Sequence, residues 1–328
     1  MIAQLDQVST ILLDRFQHGF PLVSSPFAET GRAAGIDAEN ALQRYRAMIA
    51  EGLISRIGAV VAPNAVGVST LAAMAVPQAA IEHVAAIVNA EPGVNHNYER
   101  EHGVNLWFVV SAPTEEDLTA TLNRIAARTG YKVLDLRLEE PFHLDLGFSL
   151  AGRREDKKRL GRPDLSVIEV GDLDLLAAVE DGIPLVEQPY QVTGDKIGWS
   201  EDKVLNRLDA LGRAHVIRRF GVVVRHRALG MKANAMAVWD VAGEDASALG
   251  ERFAAEPGVT LCYRRRRAAG WPYNLYCMVH GAERSATMDI VTRLDKLSAG
   301  IARDHAVLFS SRCFRQTGTR FGNARHTA

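Results

Sequence analysis

Three short stretches of this 328-residue chain hold the residue types best suited to bind an anion and to move a proton. They read HNYER at residues 96–100, RHR at residues 225–227 and YRRRR at residues 263–267. A guanidinium group binds a carboxylate or phosphate through two parallel hydrogen bonds, and an imidazole titrates near neutral pH. The stretches therefore predict a site for an anionic ligand, to which a solvated basic loop or a nucleic-acid patch is the alternative.

Two of these stretches belong to an internal repeat, which fixes how many structural units the chain contains. The segment EPGVNHNYEREHGVNLWFV starts at residue 91, and the segment EPGVTLCYRRRRAAGWPYNLYCM starts at residue 256. Both contain Glu-Pro-Gly-Val, then Tyr-X-Arg, then Asn-Leu and an aromatic residue, in the same order. Residues 56–61 and 219–224 also correspond, at an offset of 163. The chain is therefore predicted to consist of two similar halves.

Hydrophobic periodicity predicts the same order of elements in each half. Helical patterns at residues 5–17, 26–34 and 38–51, with glycine-containing turns between them, are typical of a helix-turn-helix unit. The alternation of strand and helix patterns that follows, up to a last strand at residues 132–138, is typical of a ferredoxin-like domain. The predicted fold class is therefore α+β, a tandem repeat of a winged or helix-turn-helix unit plus a ferredoxin-like βαββαβ domain. The predicted divisions are a helix-turn-helix at 1–56, a ferredoxin-like domain at 57–150, a polar linker at 151–164, a second helix-turn-helix at 165–219, a second ferredoxin-like domain at 220–312 and a basic C-terminal tail at 313–328.

The composition excludes several classes of protein. Apolar residues at 47% and charged residues at 23% are typical of a globular chain. No apolar run reaches the ~18 residues of a membrane span, and the N-terminus lacks the features of a signal peptide, so the cytoplasm is the expected location. The 3 cysteines lack metal-type spacing and are predicted to be reduced thiols. The net charge of -1 combines -7 for residues 1–150 with +6 for residues 151–328, so the basic half could attract an anionic ligand or the acidic half.

Four segments resemble the siroheme decarboxylases, a family whose helix-turn-helix and ferredoxin-like units are similar to those of the Lrp/AsnC regulators. The segments are HNYEREHGVNLWF at 96–108, RRFGVVVRHRALG at 218–230, NAMAVW at 234–239 and CYRRRRAAGWPYNLYCMVHG at 262–281. The resemblance implies a carboxy-lyase, here with two related subunits fused. Such an enzyme converts siroheme to 12,18-didecarboxysiroheme on the route to haem d1 or haem. Its site would need guanidinium groups for the substrate carboxylates and aromatic faces for the ring.

The two halves differ where the resemblance implies a site. The motif His-X-Tyr-X-Arg is complete at residues 96–100, whereas Leu261 takes the place of the histidine in the second half. Conversely, Arg-His-Arg at residues 225–227 corresponds to Ala-Pro-Asn at residues 62–64. Either one composite pocket is built from both halves, or one of two equivalent pockets has lost its function.

The resemblance and the chemistry of decarboxylation together identify the expected site residues. Loss of carbon dioxide from a ring acetate requires a proton at the carbon that remains, and an imidazole suits that transfer. We expect His96 and His226 to be the catalytic pair, as proton donors, as axial ligands of the substrate iron, or as one of each. Because neighbours in a strand point to opposite faces, Arg265 is the member of the arginine run expected to point inward. The expected substrate-binding residues are Tyr98, Arg100, Arg225, Arg227, Tyr263, Arg265, Arg267 and Trp271.

The expected partners are siroheme or a related iron tetrapyrrole and, as a possibility, further copies of the chain. No dedicated cofactor or protein-held metal is expected, because the iron enters as part of the substrate. The helix-turn-helix units raise the alternative of a DNA-binding regulator, in which cations of the recognition helices would contact phosphates. Carboxylates at the starts of both helices, at residues 37–40 and 200–202, disfavour binding to a duplex. The cations in question are Arg44, Arg46, Lys203 and Arg207.

A third function is a small-molecule sensor that uses the sheet domains to bind amino acids. It explains the sequence less well, because an amino-acid ligand does not require this many arginines.

Overall fold

The computed structural model of the chain describes residues 5–144, 161–225, 228–231 and 233–318. Its elements confirm the α+β class and the repeated order of helix-turn-helix and βαββαβ units. The helices are α1 (Gln7–Asp14), α2 (Pro26–Ala34), α3 (Ala38–Ala50), α4 (Ile81–Ala90), α5 (Glu115–Thr129), α6 (Asp172–Ala178), α7 (Pro189–Ile197), α8 (Glu201–Arg213), α9 (Gly243–Ala255) and α10 (Arg284–Ser298). The strands are β1 (Ile54–Val61), β2 (Val68–Met74), β3 (Val94–Arg100), β4 (Leu106–Ala112), β5 (Leu134–Leu144), β6 (Ile217–Val224), β7 (Ala233–Val241), β8 (Val259–Arg265), β9 (Leu275–Gly281) and β10 (Ala302–Gln316).

The helix-turn-helix units form for local reasons that the two halves share. Asp37 and Ser200 cap the recognition helices α3 and α8 by accepting the main-chain N–H three residues further on. The glycine at position 31 has no room for a side chain, because an added Cβ would lie 2.7 Å from the carbonyl oxygen of Asp37. At Gly194 the corresponding distance is 2.4 Å, to a carbonyl of the same turn in the second half. The repeated glycine therefore brings the two helices of each unit close together.

The two helix-turn-helix units pack on each other and share one hydrophobic core. Buried residues of both units, among them Leu12 and Leu208, belong to a single cluster. The hydroxyl of Tyr190 donates a hydrogen bond to the carbonyl of Pro21 at 2.8 Å, which joins the units across the repeat. The helical part of the chain is therefore one layer that contains both halves.

Strands β1 and β6 belong with this helical layer, which shifts the predicted domain boundaries. The two strands pair antiparallel with each other, Gly58 opposite Gly221, and form a separate two-stranded sheet. Their buried residues, including Ile57 and Val222, pack in the helical core. The predicted divisions after residues 56 and 219 therefore cut strands that the structure keeps whole.

Each ferredoxin-like unit has the predicted βαββαβ order, with both helices on one face of the sheet. The first unit runs from β2 to β5 and buries α4 and α5 against it, and the second runs from β7 to β10 and buries α9 and α10. In the part of the chain that the structure describes, the two sheets join into a closed barrel in the order β10, β3, β4, β2, β5, β8, β9, β7.

The last strand of each half crosses into the other half and closes the barrel. Strand β5 pairs with β2 of its own half and then with β8, while β10 pairs with β7 and then with β3. Both strands are longer than predicted: β5 continues to residue 144, and β10 includes residues 313–316 of the predicted tail. The barrel interior is filled by apolar and aromatic side chains from both halves, including Trp107, Tyr263 and Leu308. Among the described residues, no helix combines the length and the apolar character needed to cross a bilayer.

Candidate composite site between the two halves

The repeated asparagine of the two copies holds the hairpin that carries the site residues. The side chain of Asn105 accepts the N–H of Val76 at 3.0 Å and donates to its carbonyl at 2.8 Å. In the second half, Asn274 makes the same two bonds to Val241, each 3.0 Å. The asparagine therefore ties the turn between the hairpin strands to the neighbouring strand in both halves.

The asparagine main chain also fixes the position of the arginine in each Tyr-X-Arg triplet. The carbonyls of Asn105 and Asn274 accept the main-chain N–H groups of Arg100 and Arg265 at 2.7 and 2.8 Å. Arg265 points inward, as predicted: it donates a hydrogen bond to the Leu136 carbonyl, and its neighbour Arg266 is exposed. Arg100 is 7% exposed and contacts the sulfur of Met278 in the barrel interior.

His96 and Tyr98 lie on the same face of β3 as Arg100. The Nδ1 atom of the half-buried His96 is 3.4 Å from the hydroxyl of Tyr98, and their rings stack with centroids 6.0 Å apart. Burial, and then the positive charge of Arg56, lower the pKa of His96 from 6.5 to about 4. The imidazole is therefore neutral at pH 7, with Nδ1 near the hydroxyl of Tyr98.

Arg56 is a member of this site that the sequence analysis missed. It lies on β1, and its Nη2 donates to the carbonyl of Ala59 at 3.3 Å. The chain beyond β10 connects it to His96: the N–H of Thr317 donates to the Asn95 carbonyl at 2.8 Å, and a Cβ on Gly318 would lie 3.2 Å from Nη1 of Arg56. The only indication of Arg56 in the sequence was the internal repeat, in which Arg56 corresponds to Arg219 at an offset of 163 residues.

The start of the Arg-His-Arg stretch lies at the beginning of β1, the strand that carries Arg56. The main-chain N–H of Arg225 donates to the Leu53 carbonyl at 2.8 Å, and Arg56 pairs in register with Val223. The side chain of Arg225 is exposed. His226 and Arg227 follow it directly in the chain, and both lie outside the described residues. The second half therefore brings Arg225 to the beginning of β1, the strand of the first half that carries Arg56.

The pseudo-equivalent position lacks the histidine and the Arg-His-Arg stretch. There the N–H of Ala62 donates to the carbonyl of Val216 at 2.8 Å, which repeats the bond made by Arg225. The residues that follow Ala62 are Pro63 and Asn64, and the histidine position holds Leu261. Of the two arrangements that the sequence left open, this geometry favours one composite pocket.

The other predicted binding residues contact groups of the protein itself. Arg267 forms an ion pair with Asp240 at 2.5 Å and also donates to main-chain carbonyls. Trp271 is 1% exposed, and its indole N–H donates to the hydroxyl of Tyr276 at 2.8 Å. Tyr263 is buried between the ring of Tyr276 and the guanidinium of Arg265, whose Cζ is 4.5 Å from the ring centroid of Tyr263. The predicted contacts of Arg267 and Trp271 with the substrate stay predictions.

The cations proposed for DNA binding each contact another group of the protein. The strongest case is Arg207, which makes a two-pronged contact with the fully buried Asp172 at 3.0 and 2.6 Å. A guanidinium held in this way is not available to a phosphate. The partners of the four cations are Asp6 for Arg44, the carbonyl of Leu185 for Arg46, the ring of Trp199 for Lys203 and Asp172 for Arg207.

Sequence comparison assigns all four units. Residues 65–143 and 228–315 match the AsnC-like ligand binding domain, and residues 10–54 and 172–218 match the siroheme decarboxylase NirDL-like HTH domain. A siroheme decarboxylase NirDL subunit from Paracoccus pantotrophus is 44% identical over 317 residues, which cover 96% of this chain and 97% of the relative. The chain belongs to the siroheme decarboxylase family.

Other members of this family relate to one half or to the whole fold. A siroheme decarboxylase NirD subunit from Stutzerimonas stutzeri is 44% identical over 146 residues, which are 44% of this chain and 96% of that subunit. The crystal structure of a siroheme decarboxylase NirDL in complex with an iron-uroporphyrin III analogue matches with a TM-score of 0.69 and 27% identity, covering 97% of this chain and 96% of that one. The resemblance expected from the sequence is thus confirmed.

Proposed function

We propose that the chain is a siroheme decarboxylase, which converts siroheme to 12,18-didecarboxysiroheme on the route to haem d1 or, alternatively, haem. The observation that carries this proposal is the similarity to a siroheme decarboxylase over nearly the full length of both chains, at 44% identity. The composite site supports it, because it combines an imidazole with arginines from both halves at the junction of the barrel and the helical layer.

The reaction removes carbon dioxide from two acetate side chains and leaves two methyl groups. In each step the bond between the methylene carbon and the carboxylate carbon breaks, and its electron pair remains on the methylene carbon and the adjoining pyrrole. A proton then adds to that carbon. No electrons are gained or lost overall, so the step requires an acid and a charge-stabilising environment rather than an oxidant. We therefore propose that iron enters with the substrate and that no further cofactor takes part.

In this reaction His96 and His226 act as the catalytic pair. With Nδ1 of His96 directed at Tyr98, its Nε2 is the atom that meets the substrate. The neutral state of His96 suits contact with the substrate iron, since a metal ligand must be unprotonated. His226 then supplies the proton, and the arginines that flank it, Arg225 and Arg227, bind peripheral carboxylates.

Tyr98 and the barrel arginines support this site from within the protein. Tyr98 orients the imidazole of His96, as outer partners of metal-binding histidines do. Arg100 and Arg265 each bind a main-chain carbonyl of the opposite half. Their predicted role as substrate-binding residues stays a prediction, which binding of an iron tetrapyrrole to variants at each position would test.

The proposal is tested by incubating the purified chain with siroheme under anaerobic conditions and following the mass of the product. The expected result is a product that has lost two molecules of carbon dioxide. Unchanged siroheme, recovered from a chain that binds it, would contradict decarboxylation as the function. Salt-dependent binding to duplex DNA in the same preparation would support the regulator instead.

A further inference from the structure

We propose that Arg56 is a carboxylate-binding residue of the composite site, and that it holds one peripheral carboxylate of the tetrapyrrole beside His96. The inference rests on the proposed function and extends it to a residue outside the two basic stretches that the sequence singled out. It assigns a substrate contact to the helical layer, in addition to those expected from the sheet domains and the Arg-His-Arg stretch.

The first support is the hydrogen bonding of the guanidinium. An arginine carries five N–H donors, and a buried donor without an acceptor destabilises the folded state. Nη2 of Arg56 donates to the Ala59 carbonyl, whereas Nε is buried and has no hydrogen-bond partner among the described residues. A carboxylate from the substrate would satisfy this donor and neutralise the charge at once.

The second support is the weak compensation of the Arg56 charge. Burial lowers the pKa of Arg56, and the acidic group that opposes this effect is the exposed Asp181, which acts through its charge rather than through a hydrogen bond. A half-buried cation whose counter-charge is exposed to solvent favours an anionic ligand. Siroheme carries several carboxylates around its ring, so it supplies such an anion wherever the ring lies against the site.

The third support is location. Arg56 acts electrostatically on His96, and Gly318 packs against its guanidinium, with an added Cβ lying 3.3 Å from Cζ. On the adjoining strand, Val223, which pairs with Arg56, leads within two residues to Arg225. Arg56 therefore lies close enough to His96 to act on its charge, and on a strand whose partner leads to Arg225.

The repeat provides a matched control. Arg219 corresponds to Arg56 at the offset of 163 and is likewise buried, at 7% exposure. Its Nη1 donates to the Gln17 carbonyl at 3.3 Å, and its half carries Leu261 in place of the histidine. Loss of Arg219 removes a buried guanidinium from the same strand position without touching the His96 site.

The experiment measures binding of iron-uroporphyrin III, by absorbance titration, to the wild type and to the Arg56→Gln, Arg56→Lys and Arg219→Gln variants of the full chain. Loss of a charge-assisted hydrogen bond is expected to weaken binding by about 10- to 100-fold in Arg56→Gln. Arg56→Lys should recover part of the lost affinity, because lysine keeps the positive charge but cannot form the two parallel hydrogen bonds of a guanidinium. Arg219→Gln should bind as the wild type does.

Four outcomes decide the inference. Wild-type affinity in a folded Arg56→Gln variant overturns it, and so does equal weakening in Arg219→Gln. If Arg56→Gln does not fold, wild-type affinity in Arg56→Lys overturns the inference. An ammonium group cannot form the two parallel hydrogen bonds of a guanidinium, so it should bind the carboxylate more weakly. A wild type that binds no iron-uroporphyrin III overturns the proposed function together with this inference, whereas tight binding without turnover contradicts the function alone.

Discussion

The guanidinium of Arg265, in the second half of the chain, donates a hydrogen bond to the main-chain carbonyl of Leu136 in the first half, at 2.7 Å. Arg100 repeats this bond in the opposite direction with Leu308, at 3.3 Å. Both carbonyls belong to strands that cross between the halves. Leu136 comes two residues before Leu138, which pairs with Arg265. Leu308 comes two residues before Ser310, which pairs with Arg100. The repeated Tyr-X-Arg triplet thus joins the halves, whether or not it also meets a substrate.

Replacement of Arg265 should therefore weaken the barrel. Arg265→Met leaves the Leu136 carbonyl without its donor, and the expected loss is about 1.5–3 kcal/mol in the free energy of unfolding, as for hydrogen bonds to charged groups. Urea denaturation followed by circular dichroism measures this loss. Arg266→Met is the matched control, because the neighbouring side chain is exposed and its removal should change stability by less than about 0.5 kcal/mol. Equal losses in the two variants would contradict a joining role for Arg265.

Replacement of His96 should abolish most of the activity without unfolding the chain. His96→Ala removes the imidazole of the proposed catalytic pair, and the rate of carbon dioxide release is expected to fall by about 10²- to 10⁴-fold. His83→Ala, an exposed histidine on α4 of the same unit, should retain the wild-type rate. Carbon dioxide release and the far-ultraviolet circular dichroism spectrum are measured on both variants. A near-normal rate in His96→Ala would remove His96 from the mechanism.

The lowered pKa of His96 predicts a pH dependence of stability. The pKa is 6.5 in the unfolded chain and about 4 in the folded one, so the unfolded state binds the proton more readily. The stability associated with neutral His96 is complete above pH 6.5 and is lost as the pH falls towards 4. His96→Gln should lose less stability than the wild type between these two values. Identical losses, measured by thermal unfolding across the interval, would show that His96 titrates normally.

A single composite site predicts binding of one iron tetrapyrrole per chain. The pseudo-equivalent position has Leu261 and the Ala-Pro-Asn stretch in place of the histidine and the basic residues. Titration with iron-uroporphyrin III, followed at protein concentrations well above the dissociation constant, gives the stoichiometry directly. A break at two ligands per chain would show that both positions bind, and the composite pocket would have to be abandoned.

The engaged cations of the recognition helices predict that the chain does not bind duplex DNA. A DNA-binding protein of this class retains non-specific dissociation constants of about 10⁻⁴–10⁻⁶ M at physiological salt, with steep salt dependence. Fluorescence anisotropy of a labelled duplex, in low salt, is expected to remain unchanged as the chain is added. As a check on the cause, Asp172→Asn removes the ion pair with Arg207, and any residual binding of the chain to the duplex should then become stronger.

The fold was predictable from the sequence to the extent that it depends on local patterns. The capping residues Asp37 and Ser200, and the repeated order of helices and strands, follow from neighbours along the chain. The ends of the strands that cross between the halves were harder to predict. Strand β5 was predicted to stop at residue 138, but it continues through Pro141, which pairs in register with Tyr263 of the other half. A proline argues against a strand when only its own segment is considered.

The site was predictable only in part, for a related reason. His96 and Arg265 were found because they stand out in the repeat, and the inward direction of Arg265 follows from strand alternation. Arg56 was missed because its importance comes from contacts with residues distant in sequence, such as Gly318. The engagement of Arg267 by Asp240 likewise depends on the tertiary fold. A run of arginines shows that cations are present, but it does not show which of them already has a partner.

The exchange of last strands has a consequence for how this chain relates to proteins made of separate halves. A barrel of two first halves would place the histidine-bearing strand beside the Ala-Pro-Asn stretch, and a barrel of two second halves would place Leu261 beside Arg-His-Arg. Only the mixed pair combines the histidine of one half with the Arg-His-Arg stretch of the other. Covalent fusion therefore guarantees the mixed pair in a fixed one-to-one ratio, so production of the competent combination does not depend on how much of each half a cell makes.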